Sequence, residues 1–158
     1  DLKLKEESVI LNEIIHDVAN NAQFRMQHTG GQIKLHLPVE LITLKTDKMH
    51  LTNVISNLID NGIKYSQDEP IIDVFLKRES KKIVLSVADK GIGIKKEHLP
   101  KIFDKLYRVP TGNLHNVKGF GLGLSYVKAI SELNGWNITV RSKFGEGSEF
   151  YLTIKEQD

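Results

Sequence analysis

Asp47-Lys48-Met49-His50-Leu51-Thr52-Asn53-Val54-Ile55-Ser56-Asn57-Leu58-Ile59-Asp60-Asn61-Gly62-Ile63-Lys64-Tyr65 reads as one long helix. Asp47 sits where a capping oxygen belongs. Leu51, Val54, Ile55, Leu58, Ile59 and Gly62 return to one face, and Asn57, Asn61 and Lys64 gather on an adjacent polar face, because steps of three and four close a helical turn. An apolar face of this kind must be covered by another layer. Downstream, residues 71–77 and 82–88 read as paired strands joined by a polar turn at 78–81, and residues 136–142 and 148–154 as a terminal hairpin around Gly145-Glu146-Gly147. Residues 122–133 form a further helix. Upstream, Asn12 is placed to cap a helix running to about His28, with Gly30-Gly31 ending it. Residues 33–37 and 41–44 read as short strands. Helices and strands interleave while the hairpins are antiparallel. The expected class is therefore α+β: a two-layer α/β sandwich with three main helices and a mixed, mostly antiparallel sheet, not a doubly wound parallel one.

The bulk properties fit one soluble domain. The chain has 158 residues, 40% hydrophobic and 27% charged, enough for a single core. No apolar run approaches the roughly 20 residues that span a bilayer, and the opening residues do not read as a signal peptide. With no cysteine, disulfides and thiolate metal sites are excluded, and a reducing cytosol suits the chain. A net charge of +2 argues against general nucleic-acid binding. The charge is uneven, however: Lys95, Lys96, Lys101, Lys105, Arg108 and Lys118 stand against only Glu97 and Asp104 within residues 95–118. That basic stretch lies between two glycine-rich segments, which points it toward phosphates. Residues 1–7 read as a charged connector, with residues 8–158 forming the domain.

Four segments carry the chemistry: Asn57-Leu58-Ile59-Asp60-Asn61, Asp89-Lys90-Gly91-Ile92-Gly93-Ile94, Phe103-Asp104-Lys105-Leu106-Tyr107-Arg108 and Gly119-Phe120-Gly121-Leu122-Gly123-Leu124. Each alone is an ordinary helix face, turn or loop. Together, in this order, they resemble the N, G1, F and G2 boxes of the catalytic, ATP-binding domain of sensor histidine kinases. The resemblance spans nearly the whole chain and implies the Bergerat-type ATP-binding fold shared with gyrase, chaperone and mismatch-repair ATPases, with ATP and Mg²⁺ as its ligands.

Residue by residue, the resemblance makes Asn61 the Mg²⁺ ligand, a neutral amide oxygen suited to a hard cation that also takes phosphate oxygens. It places Lys64 on phosphate and Tyr65 beside the base. Asn57 stands where the related ATPases carry a water-activating Glu. An amide cannot act as general base, so the site favours phosphoryl transfer over hydrolysis. Asp89, at a strand end, is suited to accept from the adenine amino group, and Gly91, Gly93 and Ile94 bring backbone close to the base. Lys90 replaces the family's usual Asn. Arg108, with Lys105, reaches for phosphate from an ATP lid over about residues 104–120, and Phe103 anchors that lid by burying its ring. Leu106 replaces the usual aromatic. Gly119, Gly121, Leu122, Gly123 and Leu124 open a helix whose N-terminal amides suit phosphate. No Gly-Lys-Ser/Thr follows, so this is not a Walker loop. Ser148 matches a small hydroxyl near the base. Gly62, where the family more often has Ala, either costs roughly 1 kcal/mol of helix stability or opens room near the base.

The implied catalytic residues are Asn57, Lys64 and Arg108. The resemblance implies a cytoplasmic, monomeric module that binds Mg-ATP. Its γ-phosphoryl would pass to a histidine on a separate dimerisation and phosphotransfer domain, and then to an Asp of a response-regulator receiver, without nucleic-acid or membrane contact. His16-Asp17 lacks the following Pro of a phosphoacceptor motif and reads as an ordinary surface or packing histidine. Two alternatives remain open: an ATP-sensing scaffold that transfers nothing, and a Ser/Thr protein kinase of the anti-sigma type on the same fold.

Overall fold

The computed structural model describes residues 4–105, 107 and 122–156; of Leu122 only the backbone is described. Five strands make the main sheet in the order β2-β4-β5-β7-β6. These are β2 (Gln32–His36), β4 (Ile71–Glu79), β5 (Lys82–Asp89), β6 (Asn137–Lys143) and β7 (Gly147–Lys155). Only β2 with β4 is parallel; the other neighbours are antiparallel. The remaining strands, β1 (Glu6–Ile10) and β3 (Thr43–Asp47), form a separate antiparallel pair. Helices α1 (Leu11–Arg25), α2 (Lys48–Lys64) and α3 (Leu122–Asn134) cover one face of the sheet, with α1 over β2, α2 over β4 and β5, and α3 over β6. The expected two-layer α+β sandwich is what the chain forms.

Register explains where the core ends. On the helix-facing side, Leu35, Val74, Val87, Phe150 and Val140 line up across all five strands, and Leu76, Leu85, Leu152 and Ile138 form the next row. These rows meet Leu51, Val54, Ile55, Leu58 and Ile59 of α2, which are 0–1% exposed. At the opposite end of the same face the row runs Ile33, Ile72, Asp89, Ser148, Ser142, turning from apolar to polar between β4 and β5. Cross-strand neighbours share a face, so three polar side chains stand together at one edge of an otherwise apolar layer.

Several local expectations shift. Asn12 does not cap α1: the helix starts at Leu11 behind Ile10, without a side-chain cap. Asn12 is instead buried, donating to the carbonyls of Pro38 (3.3 Å) and Glu40 (3.0 Å) and accepting from the Ile42 N–H at 2.8 Å. The helix closes at Arg25, ahead of Gly30-Gly31, and short turns follow in which the Gly30 N–H reaches the Met26 carbonyl. The strand expected at 41–44 lies at Thr43–Asp47, because Glu6–Ile10, partly read as connector, supplies its partner. Asp47 does cap α2: its side chain accepts from His50 N–H at 3.0 Å and from Lys5 N–H at 2.8 Å. One carboxylate thus ties β1 to the start of the central helix.

Candidate nucleotide-binding site

The polar end of the sheet row is where α2, the loop after β5 and the β6–β7 hairpin converge. Asp89 closes β5. Its Oδ1 accepts the Gly91 N–H at 2.9 Å, and the Ser148 backbone N–H also bonds the carboxylate. Burial outweighs both bonds and pushes the carboxyl above its ordinary value of 3.8. A carboxylate has about four lone-pair positions, so with two amides bound it retains capacity for further donors. Desolvated and undersupplied, Asp89 is suited to a ligand N–H.

The glycine loop is pressed against its neighbours. A Cβ on Gly91 would lie 2.3 Å from the Tyr65 carbonyl oxygen, which itself accepts the Ile92 N–H at 3.0 Å. Gly93 has φ +71, and a Cβ there would lie 2.2 Å from the Lys143 carbonyl oxygen, so both conformation and space require glycine. The loop is also stitched to the hairpin, through Gly145 N–H to the Ile92 carbonyl (2.6 Å) and Ile94 N–H to Ser142 Oγ (2.7 Å). On the other side α2 comes within contact: a Cβ on Gly62 would lie 3.3 Å from Asp89 Cβ and 2.8 Å from Ile72 Cδ1. Gly62 therefore opens no space beside Asp89. The δ-methyl of Ile72 occupies the room that an alanine methyl would need.

A second junction lies one helical turn before Asn61. Asn57 donates its Nδ2 to the Asn53 carbonyl at 2.8 Å, and its Oδ1 is 3.0 Å from where a Cβ on Gly123 would stand. The first turn of α3 thus meets the polar face of α2. Asn61 is half-buried between the two junctions, and Leu124 packs against the core from α3.

The sequence-expected residues therefore separate into groups. Tyr65, Asp89, Gly91, Gly93, Ile94 and Ser148 come together around the end of β5; Asn57 and Gly123 meet at the start of α3; α2 carries Asn61 between them. Lys64, the last residue of α2, and Lys105 are both exposed and stand outside the hydrogen-bonded cluster. Phe103 packs edge-on against Phe150 at 6.2 Å and is half-buried. Arg108, Gly119, Gly121, Leu106 and most of the expected lid over 104–120 lie outside the described residues, as does the Leu122 side chain. Ser142 and Gly147 were not singled out from sequence. Ser142 mirrors Ser148 across the hairpin turn, so pairing the expected strands would have placed the two side by side. Among the described residues no group of three or more His, Asp or Glu gathers as a metal site. No helix among them is long and apolar enough to cross a membrane.

The chain is similar to several known proteins. Residues 46–158 match the family model described as histidine kinase-, DNA gyrase B- and HSP90-like ATPase. The chain is 43% identical over 155 residues to the sensor protein RprX of Bacteroides fragilis, covering 97% of this chain and 30% of that protein. It spans about a third of the length of the curated relatives it matches. The catalytic domain of the histidine kinase ThkA superposes with a TM-score of 0.82 at 24% identity, covering 96% of each chain. Full-length ShkA, solved in complex with AMPPNP, matches with a TM-score of 0.81 at 23% identity, covering 96% of this chain and 31% of that one. At those identities the superpositions establish the shared fold. The family match over residues 46–158 and the identity to RprX show that the chain belongs to the histidine kinase-, DNA gyrase B- and HSP90-like ATPase family and corresponds to the catalytic, ATP-binding domain of a sensor histidine kinase.

Proposed function

We propose that this domain binds Mg-ATP at the junction of α2, the glycine loop and the start of α3, and donates the γ-phosphoryl to a histidine on a separate domain. The observation that carries this reading is Asp89: a half-buried carboxylate with spare acceptor capacity, held at the end of a strand against glycine backbone. Its acceptor oxygens suit the adenine amino group and repel the carbonyl that guanine carries there. The close approach of Gly91 to the Tyr65 carbonyl leaves no room for a side chain at that point of the loop. The fold neighbour ShkA, solved with AMPPNP, supports the choice of nucleotide.

The rest of the assignment follows from the chemistry of the side chains. Asn61 offers an amide oxygen to Mg²⁺, and Lys64 and Arg108 offer charge to phosphates. Asn61 would help hold Mg²⁺, whose chemistry there would be to neutralise phosphoryl charge. The N-terminal turn of α3 contributes oriented amides. Asn57 supplies no base, so water is not activated. An imidazole nitrogen of the acceptor attacks the γ-phosphorus, the bond to the bridging oxygen breaks, and ADP leaves. The acceptor histidine lies on the dimerisation and phosphotransfer domain, and the phosphoryl passes on to an Asp of a receiver.

The test has two stages. Calorimetry should show ADP and ATP binding that depends on Asp89 and selects adenine; no binding, or binding indifferent to Asp89→Asn, would remove the nucleotide reading. Labelled ATP mixed with a dimerisation domain should then label its histidine. Binding without label would leave an ATP sensor in place of a kinase. Asn57→Glu should raise ATP hydrolysis if the missing base is what spares ATP, and unchanged turnover would remove that role from Asn57.

A further inference from the structure

Ser142 is half-buried on β6, directly across from Ser148 in register, as Ser148 is across from Asp89. Its single hydroxyl has three neighbours. It accepts the Ile94 N–H at 2.7 Å, donates to the Gly147 carbonyl at 3.0 Å, and lies 2.8 Å from Ser148 Oγ. A serine hydroxyl carries one proton and two acceptor positions. With its proton on Gly147 and one acceptor position on Ile94, the remaining acceptor position faces Ser148. The Ser148 proton is thereby drawn toward Ser142, and Ser148 is left with lone pairs only for anything beside Asp89.

We infer that Ser142 is a positioning residue for nucleotide selection: it fixes Ser148 as a pure hydrogen-bond acceptor and pins the glycine loop to the β6–β7 hairpin. The inference rests on the ATP reading and deepens it. The adenine amino group has two N–H donors; Asp89 meets one, and an acceptor-only Ser148 meets the other, directly or through one water. A purine with a carbonyl at that ring position needs a donor there, and Ser148 has no proton to give. Two aligned acceptors then discriminate more strongly than Asp89 alone, because a buried polar group facing the wrong partner loses its bond and keeps its desolvation cost.

The experiment measures ADP and IDP binding by calorimetry for wild type, Ser142→Ala, Ser142→Thr, Ser148→Ala and the Ser142→Ala/Ser148→Ala double variant, alongside thermal unfolding of each. Removing Ser142's hydroxyl frees the Ser148 proton to donate. ADP affinity should fall roughly five- to tenfold, the value of one buried hydrogen bond, while IDP affinity holds or rises. Ser142→Thr, which keeps the hydroxyl, should stay within about twofold of wild type. The double variant should have the same ADP-to-IDP ratio as Ser148→Ala, since Ser142 acts on selectivity through Ser148. Equal losses for ADP and IDP would reduce Ser142 to loop support and overturn the inference, as would an unchanged ADP-to-IDP ratio in Ser142→Ala. If Ser142→Ala unfolds, loss of adenine selectivity in Ser148→Ala with selectivity kept in Ser142→Thr still supports it, and unaltered selectivity in Ser148→Ala refutes it. Wild type that binds no ADP would instead defeat the ATP reading itself.

Discussion

Two aspartates show how the same side chain is put to opposite uses. Asp47 receives the Lys5 and His50 backbone N–H groups, which hold its carboxyl below the ordinary value of 3.8. A depressed folded pKa contributes stability above the unfolded value, and that contribution is lost as pH falls through the folded one. Asp47→Asn should therefore unfold more easily at neutral pH, by about 1 kcal/mol, with the difference closing below pH 3.8. Asp89 is the reverse, because burial raises its carboxyl above 3.8. Its contribution is fully present below the unfolded value and is lost as pH rises through the raised folded one. Asp89→Asn should therefore equal or exceed wild type in thermal stability at pH 7, with any gain vanishing on acidification. The same variant should lose nucleotide binding. A fall in neutral-pH stability with binding retained would make Asp89 a structural residue.

At the level of elements, the contacts divide into those that hold the layers and those that shape the site. Asn12 joins α1 to the loop ahead of β3 by three hydrogen bonds and is 6% exposed. Asn12→Ala strands the buried Ile42 N–H and should cost about 2 kcal/mol in chemical denaturation, with nucleotide affinity unchanged. The α2–β4 contact at Gly62 and Ile72 belongs to the site as well as to the fold. Gly62→Ala gains helix propensity but collides with Ile72 Cδ1 and crowds Asp89. It should lower both stability and ADP affinity, whereas Ile72→Val, which removes that methyl, should cost about 1 kcal/mol alone yet restore Gly62→Ala toward wild type. Additive losses in the double variant would mean the two residues do not share the space. The helical pattern of α2 was legible because its apolar residues repeat from Leu51 to Gly62, about three turns. The start of α1 was not, because Asn12 has the chemistry of a cap and only the chain 26–30 residues away gives it other partners.

For the molecule as a whole, α2 joins core to site: its apolar face closes the core and its polar face carries Asn57 and Asn61 past both junctions of the site. Ligand that binds only the folded state raises unfolding free energy by mass action. At a hundredfold excess over its dissociation constant, Mg-ADP should stabilise the domain by about 2.7 kcal/mol, read as an upward shift of the melting temperature. Asp89→Asn should show no such shift. Equal shifts in both proteins would place the nucleotide elsewhere.

The sequence by itself determined the order and type of most elements, the α+β class and the four segments that mark a nucleotide site, because periodicity, caps and glycine spacing are local properties. It also singled out Asp89, Asn61 and Ser148 as candidate residues for that site. Only the tertiary structure decided which of them meet. Register put Asp89, Ser148 and Ser142 in one row, β1 found its partner in β3 across the first helix, and Gly62 and Ile72 came to share one methyl's worth of space. Those outcomes depend on residues far apart in the chain arriving at the same place, and pairwise contact of that kind leaves no trace in the local pattern of either segment.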